Sequence, residues 1–552
     1  MATSDIQRAP VLIVGGGPVG LSLAIELCNW GIQPIVVEKR APEELIYPTA
    51  NHLSVRGAEV LRRWGLSARV RENGFPADWC GGVGVFTHIG GHELRHVHKP
   101  SNGEALSTDY SPENEMWQPK RYVDPVLREE AVRLGATLLS SAEVTALAQG
   151  DDGVTAEVTL LESGDTLQLA ADYAVGCDGA NSRVRGWLGL VLDGLPPEPT
   201  IDSVYFRSKD LANQIVQRWH YRLLGNADGP HVSGWMLVAV DGKELWRLHG
   251  HGAIEVDDPE LTARNLRDIV GIDADIEIIS MGSWQLRQAV SPSFRQGRVF
   301  LAGDAAARGS TFGGLWMNRG MLDALDLGWK LAATIQGWGG ESLLDTYETE
   351  RRDATLQMLM FQGVDFYGRE PRVFEKRSFG HADAVKAPPS ELWESGEDAD
   401  VLRALVREKL ATEKSDLLDY SRADVGYRYD GSPIVVDDGS PLQEKEGWSY
   451  TPNAKPGGRA PHVVLEDGSS TLDWFNQHFT LVALDGAPTE IFTKAATRCG
   501  IPLTVQQSDD PRVRELYAAP LTLVRPDGFV AWRGELPSVE HAERLLDTVR
   551  GN

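Results

Sequence analysis

The chain has 552 residues, 42% hydrophobic and 24% charged, an ordinary globular composition with length enough for three or four domains. Its formal net charge of −25 argues against a protein that binds nucleic acid or an anionic membrane, since both require a basic face. Four cysteines, Cys28, Cys80, Cys177 and Cys499, include no C-x-x-C pair, so neither a disulfide framework, a zinc ribbon nor a dithiol centre is expected.

Residues 1–7 are polar and do not read as a signal peptide. No run of about 18 apolar residues occurs, so no transmembrane helix is expected. The expectation is a cytoplasmic protein with no metal site and no membrane or nucleic-acid partner.

In chain order, residues 11–14 are four successive apolar positions, which suits a strand buried on both faces. Gly15, Gly17 and Gly20 then fit G-x-G-x-x-G. Residues 21–27 read as a helix ended by Gly31, and residues 35–37 as a second strand closing on Glu38. The first glycine permits a tight turn, the second lets backbone approach a pyrophosphate, and the third lets helix and strand pack closely. The helix N-terminus supplies unpaired N–H groups and positive dipole charge. Glu38 lies 18 residues after Gly20, near the spacing of about 20 at which an acid bonds a ribose 2′-hydroxyl. An acid there disfavours a 2′-phosphate, so the nucleotide is NAD or FAD. This motif does not separate the two.

Two later motifs bear on that choice. Residues 175–185 contain Asp178-Gly179 after an alternating stretch, and residues 297–306 run from a strand into Gly303-Asp304. Gly313-Gly314 and Asn318 follow, then a helix over 321–334. A carboxylate at a strand end can accept from a ribose or ribityl hydroxyl. Taken singly, Asp178 and Asp304 also suit a helix cap or turn.

Together the three motifs, in this order, resemble the group A flavoprotein monooxygenases, the single-component FAD-dependent aromatic hydroxylases. The resemblance covers nearly the whole chain. It implies α/β and α+β architecture: a discontinuous Rossmann-type FAD-binding domain (1–186 and 286–365), a mixed-sheet substrate-binding domain (187–285), a helical connector (366–454) and a C-terminal thioredoxin-like domain (455–552). It implies that Gly15, Gly17, Gly20, Glu38 and Arg40 hold the adenosine diphosphate end of FAD. Gln118 would lie near the ribityl chain, and Asp304 would bond it. Asp178 and Gly179 would serve both FAD and the nicotinamide nucleotide. Gly314, Met317 and Asn318 would line the pyrimidine edge of the flavin.

The chain departs from the family's G-D-A-A-H-x-x-P-P-x-G-G-x-G-x-N run. Ala307 replaces the histidine, Ser310-Thr311 the proline pair, and Trp316 a glycine. Trp316 either stacks on the flavin or packs elsewhere. Thr49 stands where many members carry an arginine, with Arg56 and Arg308 as the visible substitutes.

Asn51-His52 falls where the family's chain passes flavin and substrate. A histidine there could deprotonate a phenol, its ordinary pKa of about 6.5 lying near working pH. The alternative is a hydrogen-bonded structural histidine. Substrate-facing candidates in the middle sheet are Trp219, His220, Tyr221, Trp235, Trp246, His249 and His251. Residues 398–419 read as a helix, residues 479–484, 521–524 and 529–533 as strands, and residues 541–549 as a closing helix. With one cysteine, Cys499, the thioredoxin-like unit lacks a working dithiol and is read as structural or interfacial.

The activity implied is hydroxylation of a phenolic or polycyclic aromatic substrate with FAD, O2 and NADPH or NADH, through a C4a-hydroperoxyflavin. Baeyer–Villiger or epoxidising chemistry on the same scaffold, and a non-catalytic flavin-binding protein, stay open from sequence. So do the substrate and a homodimer.

Overall fold

The computed structural model describes residues 7–42, 44, 50–72, 74–76, 79–86, 92–99, 109–195, 200–215, 219–224, 235–250, 258–270, 272–285, 287–309, 314–361, 396–412, 420–441 and 450–552. Its central sheet has five parallel strands in the order Val299–Leu301, Thr166–Gly176, Gln7–Val14, Ile35–Val37 and Thr137–Leu139. Val11, Ile13 and Val36 are fully enclosed, as expected of parallel strands covered on both faces. The strand ends converge on the loop at Gly15, where open α/β sheets bind ligands.

Two helices meet behind that loop. Pro18–Asn29 follows the first strand, and Leu315–Ile335 follows the Gly303–Asp304 turn. The second is buried on nearly all sides. They cross closely because glycines stand at the crossing. An added Cβ at Gly320 would lie 2.5 Å from Val19 Cγ2, and one at Gly328 would lie 2.7 Å from Glu26 Cγ.

A second sheet runs in the order Glu277–Gln285, Thr200–Arg207, Leu245–Gly250, Trp235–Ala239, Trp219–Leu224, Cys80–Phe86 and Glu93–Lys99. It is mixed: Trp219–Leu224 and Cys80–Phe86 are parallel, and its other pairs are antiparallel. Two of its strands come from residues 80–99, inside the stretch read as the first nucleotide-binding part. The sheet therefore does not coincide with residues 187–285. Sequence-local reading misses such a crossover because pairing partners are chosen in space.

Towards the C-terminus, Phe479–Leu484 and Leu503–Ser508 pair in parallel, and Leu521–Val524 and Val530–Gly534 add antiparallel. With helices Glu490–Cys499, Pro511–Tyr517 and Val539–Val549, this is the strand–helix–strand–helix–hairpin–helix order of a thioredoxin-like unit. Cys499 is a free thiol. In the connector, helix Glu397–Thr412 covers most of the expected 398–419; residues 413–419 lie outside the described ones. No helix among the described residues is long and apolar enough to cross a membrane.

The connector is tied into the first half of the chain. Helix Ser421–Asp424 brings the Asp424 carboxylate to the N-terminus of helix Val55–Arg63, where it accepts from Ser54 Oγ at 2.6 Å and Arg56 N at 3.1 Å. Burial pushes Asp424 up to about 6, with the Ser54 and Arg56 hydrogen bonds opposing.

Two outcomes follow from this packing. A Cβ at Gly20 would stand 1.9 Å from the Gly15 carbonyl oxygen. Gly20→Ala should therefore displace the helix from the sheet and cost about 1–3 kcal/mol, read as a lowered urea midpoint. Asp424 has a folded pKa above its unfolded one, so its contribution is present at about pH 4 and declines as pH rises through about 6. The stability difference between wild type and Asp424→Asn should change by on the order of 2 kcal/mol across that window. A difference that is flat with pH would contradict this.

Candidate active site

The first glycine-rich loop has no side chain of its own to offer. Helix Pro18–Asn29 begins at Gly17, which makes no side-chain cap, so its first N–H groups suit an anion. An added Cβ at Gly17 would meet nothing within 4 Å, whereas one at Gly15, at φ +108°, would lie 2.4 Å from the Cys177 carbonyl oxygen. The loop is thus pressed onto the sheet at one glycine and open at the next. Glu38 stands at its edge, where Oε2 accepts from Gly16 N at 2.6 Å and Oε1 from Arg40 N at 3.0 Å. The Arg40 side chain turns outward, with Nε 3.5 Å from Glu44 Oε1.

The second loop is the single turn Gly303–Ala305. Gly303 takes φ +61°, and a Cβ there would lie 2.8 Å from Val19 Cγ2. The Asp304 side chain is exposed, yet protein encloses it closely enough that desolvation pushes its carboxyl above the usual range, against the nearby Arg319 and Arg308 charges. Asp178 has a divided role. Its Oδ2 accepts from Arg183 N at 2.7 Å and Val184 N at 3.1 Å, while its buried Oδ1 has no partner. Gly179 beside it is left-handed at φ +78°.

The third element is the N-terminus of Leu315–Ile335. It starts at Gly314, at φ +64°, again with no side-chain cap. His52 lies against it: a Cβ on Gly314 would be 2.8 Å from His52 Nδ1. His52 is 2% exposed. Its Nε2 is 2.8 Å from Glu115 Oε2, and Nδ1 has no partner. Tyr420 OH donates to the same Glu115 oxygen at 3.0 Å, and its ring meets His52 edge-on. Asn51, with its amide oxygen towards the middle sheet, accepts from Arg247 Nη2 at 3.0 Å.

Several residues singled out from sequence have structural duties. Asn318 accepts from Ser54 N at 3.0 Å and donates to the His52 carbonyl at 3.2 Å and the Gly314 carbonyl at 2.8 Å. It thereby stitches the third element to the His52 segment. Gln118 is fully buried. Its Oε1 accepts from Phe75 N at 3.3 Å and its Nε2 donates to the Val70 carbonyl, so its amide holds backbone. Met317 is half-buried. Trp316 lies over Gly309, where a Cβ would be 1.6 Å from its Cζ2, and packs with Leu315, Met358 and Tyr420. Arg56 is buried and paired with Glu59 at 2.6 Å. Thr49 and residues 310–313 lie outside the described residues.

In the middle sheet, alternation along Leu245–Gly250 sorts the candidates. Trp246 and Leu248 face the core beneath helix Pro259–Val270, so Trp246 is not substrate-facing. Arg247 and His249 are on the opposite face. That face is turned towards the nucleotide half, because Arg247 meets Asn51 and Tyr205, opposite Arg247 in register, accepts from Arg121 at 3.2 Å. Burial, and then the Arg247 charge, holds His249 well below its ordinary pKa, so it is neutral at pH 7. Trp219, His220, Tyr221, Trp235 and His251 have side chains outside the described residues. Sequence reasoning did not single out Glu115, Tyr420, Arg247 or Asp323 as site residues. The signal available for Asp323 was a set of charged residues, Arg319, Asp323, Asp326 and Lys330, on a helix rich in leucine and alanine.

These features suit FAD. Two uncapped helix N-termini, open space over Gly17, an unsatisfied Asp178 oxygen and the Asp304 carboxylate at the Gly303 turn match a long ligand with a pyrophosphate and a hydroxylated chain. The comparisons agree. Residues 8–362 match the family profile of an FAD binding domain, and residues 453–552 match the C-terminal domain of aromatic-ring hydroxylases. A 4-methyl-5-nitrocatechol 5-monooxygenase of Burkholderia sp is 31% identical, over 99% of this chain and 97% of that protein. Chromopyrrolic acid-soaked RebC with bound 7-carboxy-K252c superimposes with a TM-score of 0.87 at 33% identity, covering 99% of each chain. A ternary complex of aklavinone-11 hydroxylase with FAD and aklavinone superimposes with a TM-score of 0.80 at 25% identity, covering 100% of each. The chain belongs to the FAD-dependent aromatic-ring hydroxylases, oxidoreductases that work with FAD and NAD(P)H.

Proposed function

We propose that this chain hydroxylates a phenolic or polycyclic aromatic substrate held between the three flavin-site loops and the Arg247–His249 face of the middle sheet. The observation that carries this reading is the Asn51–Arg247 contact, which brings that sheet face against the segment carrying His52. A cytoplasmic setting, where NAD(P)H is replenished, goes with it.

FAD, when bound, supplies the redox chemistry with O2; the protein supplies binding, orientation and proton handling. Gly15, Gly17 and Gly20 would admit the pyrophosphate at the first helix N-terminus, and Glu38 would take a ribose hydroxyl. Asp304 would accept from the ribityl chain, and the Gly314 N–H end would face the pyrimidine edge. Asp178 and Gly179 would serve the nucleotides from the neighbouring loop. Arg247 favours a bound phenolate, because a buried cation stabilises the anion over the phenol. His52 is the base in this reading. The Glu115 carboxylate holds the Nε2 proton, which leaves Nδ1 as the acceptor.

The experiment is a screen of the purified holoprotein against phenols and polycyclic phenols. Substrate-dependent NAD(P)H consumption with a product one oxygen heavier is expected; no stimulation across the panel would sink the reading. His52→Gln should lower kcat by about 10²- to 10⁴-fold, the usual contribution of a general base, with FAD binding retained. Asp304→Ala should weaken FAD about 10- to 100-fold, the loss of a hydrogen bond to a charged group, measured by flavin fluorescence.

A further inference from the structure

The Gly303–Asp304 turn is held by a wire of buried polar groups that begins in the C-terminal third of the chain. Gly303 N donates to Asp323 Oδ2 at 3.0 Å, and Arg319 donates to the Gly303 carbonyl at 3.3 Å. The other Asp323 oxygen accepts from Arg351 Nε at 2.8 Å. Arg351 Nη1 reaches Tyr427 OH at 3.1 Å and Tyr429 OH at 2.9 Å. Both tyrosine rings pack on Phe529, with Tyr429 at 4.3 Å between centroids.

A second arm grips the same helix, Asp345–Phe361, one residue away. Arg525 enters from the turn before Phe529 and donates to Glu350 Oε1 at 2.5 Å, Asp326 Oδ1 at 3.0 Å and Asp527 Oδ2 at 2.6 Å. Lys330 completes it on Asp326 at 2.9 Å and Glu350 at 2.6 Å. Burial raises Asp326; it would raise Glu350 too, but the Arg525 and Lys330 charges outweigh it and hold Glu350 low. Asp323, Arg351, Arg525, Lys330, Asp326 and Glu350 are each no more than 1% exposed.

Charges buried this deeply are a poor way to stabilise a fold, since well-packed apolar groups of similar volume do as well or better. What they supply is geometry: a guanidinium fork with two tyrosine hydroxyls and a carboxylate has few alternative arrangements. The end of the wire is the backbone amide next to Asp304.

We propose that the thioredoxin-like unit, which has no dithiol, is a positioning element for the flavin site: through Phe529, Tyr427, Tyr429 and Arg351 it sets Asp323, and through Asp323 the Gly303–Asp304 turn. Arg351, Asp323 and the two tyrosines are positioning residues. The proposal rests on the reading that Asp304 takes a ribityl hydroxyl.

The test is the full-length double variant Tyr427→Phe/Tyr429→Phe, which keeps both rings on Phe529 and removes only the hydroxyls. Amide exchange in the peptide spanning Gly303 is followed in the apoprotein by mass spectrometry, with the strand Phe479–Leu484 as internal control, and FAD affinity is measured by fluorescence. Exchange at Gly303 at least about tenfold faster, FAD binding about tenfold weaker and an unchanged control strand are expected. Wild-type exchange, or faster exchange with unaltered FAD affinity, overturns the proposal. If the double variant does not fold, Arg351→Lys, which keeps the charge on Asp323 and gives up the forked contacts, is measured the same way. Asp304→Ala separates the two levels. Unchanged FAD affinity there refutes the reading at Asp304, whereas a loss there with no effect of the tyrosine or Arg351→Lys variants refutes only the wire.

Discussion

Close approach between two helices is the constraint on which this molecule is built. Pro18–Asn29 and Leu315–Ile335 touch through Val19, Glu26, Gly320 and Gly328, with Gly303 of the intervening turn against Val19, and there is no room for another methyl group. That contact brings two uncapped N-termini to the same end of the parallel sheet. Both offer backbone N–H groups, and neither offers a side chain. In the proposed reading a dinucleotide would be met by peptide dipoles and glycine surfaces, with Glu38, Asp178 and Asp304 as acceptors for its hydroxyls.

Around this glycine-lined centre the chain places an unusual amount of buried polarity. Asn318 holds the third loop to the His52 segment, Asp424 holds that segment from the connector, and Asp323 holds the second loop. Each bond spans hundreds of residues or joins separate helices. These loops are rich in glycine and carry few side chains of their own, so their shape is imposed from behind. Helix termini and turns are where polar groups can do this, because they leave N–H groups that the regular hydrogen-bond ladders do not use.

In the proposed reading the middle sheet would contribute specificity on a different principle. Strand alternation gives Leu245–Gly250 one face for the core and one turned to the nucleotide half, so that Trp246 and Leu248 are core while Arg247 and His249 are not. Burying Arg247 and a neutral His249 side by side makes a desolvated, positive environment, which favours an ionised oxygen on an aromatic ring over its protonated form.

What the sequence by itself determined is what depends on neighbours along the chain. The strand at 11–14, the three glycines, Glu38 at its spacing, the Gly-Asp turn and three strands and the closing helix of the C-terminal unit are local patterns, and the structure has an element at each; the strand Leu503–Ser508 and the helices Glu490–Cys499 and Pro511–Tyr517 were not read from sequence. The tertiary structure decided everything that needs partners distant in sequence. It enrolled residues 80–99 in the middle sheet, turned the Gln118 amide onto backbone, seated Trp316 on Gly309, and joined His52 to Glu115 and Tyr420. A residue type states which bonds a side chain can form; only the folded chain, by excluding water and choosing neighbours, states which of them it does form.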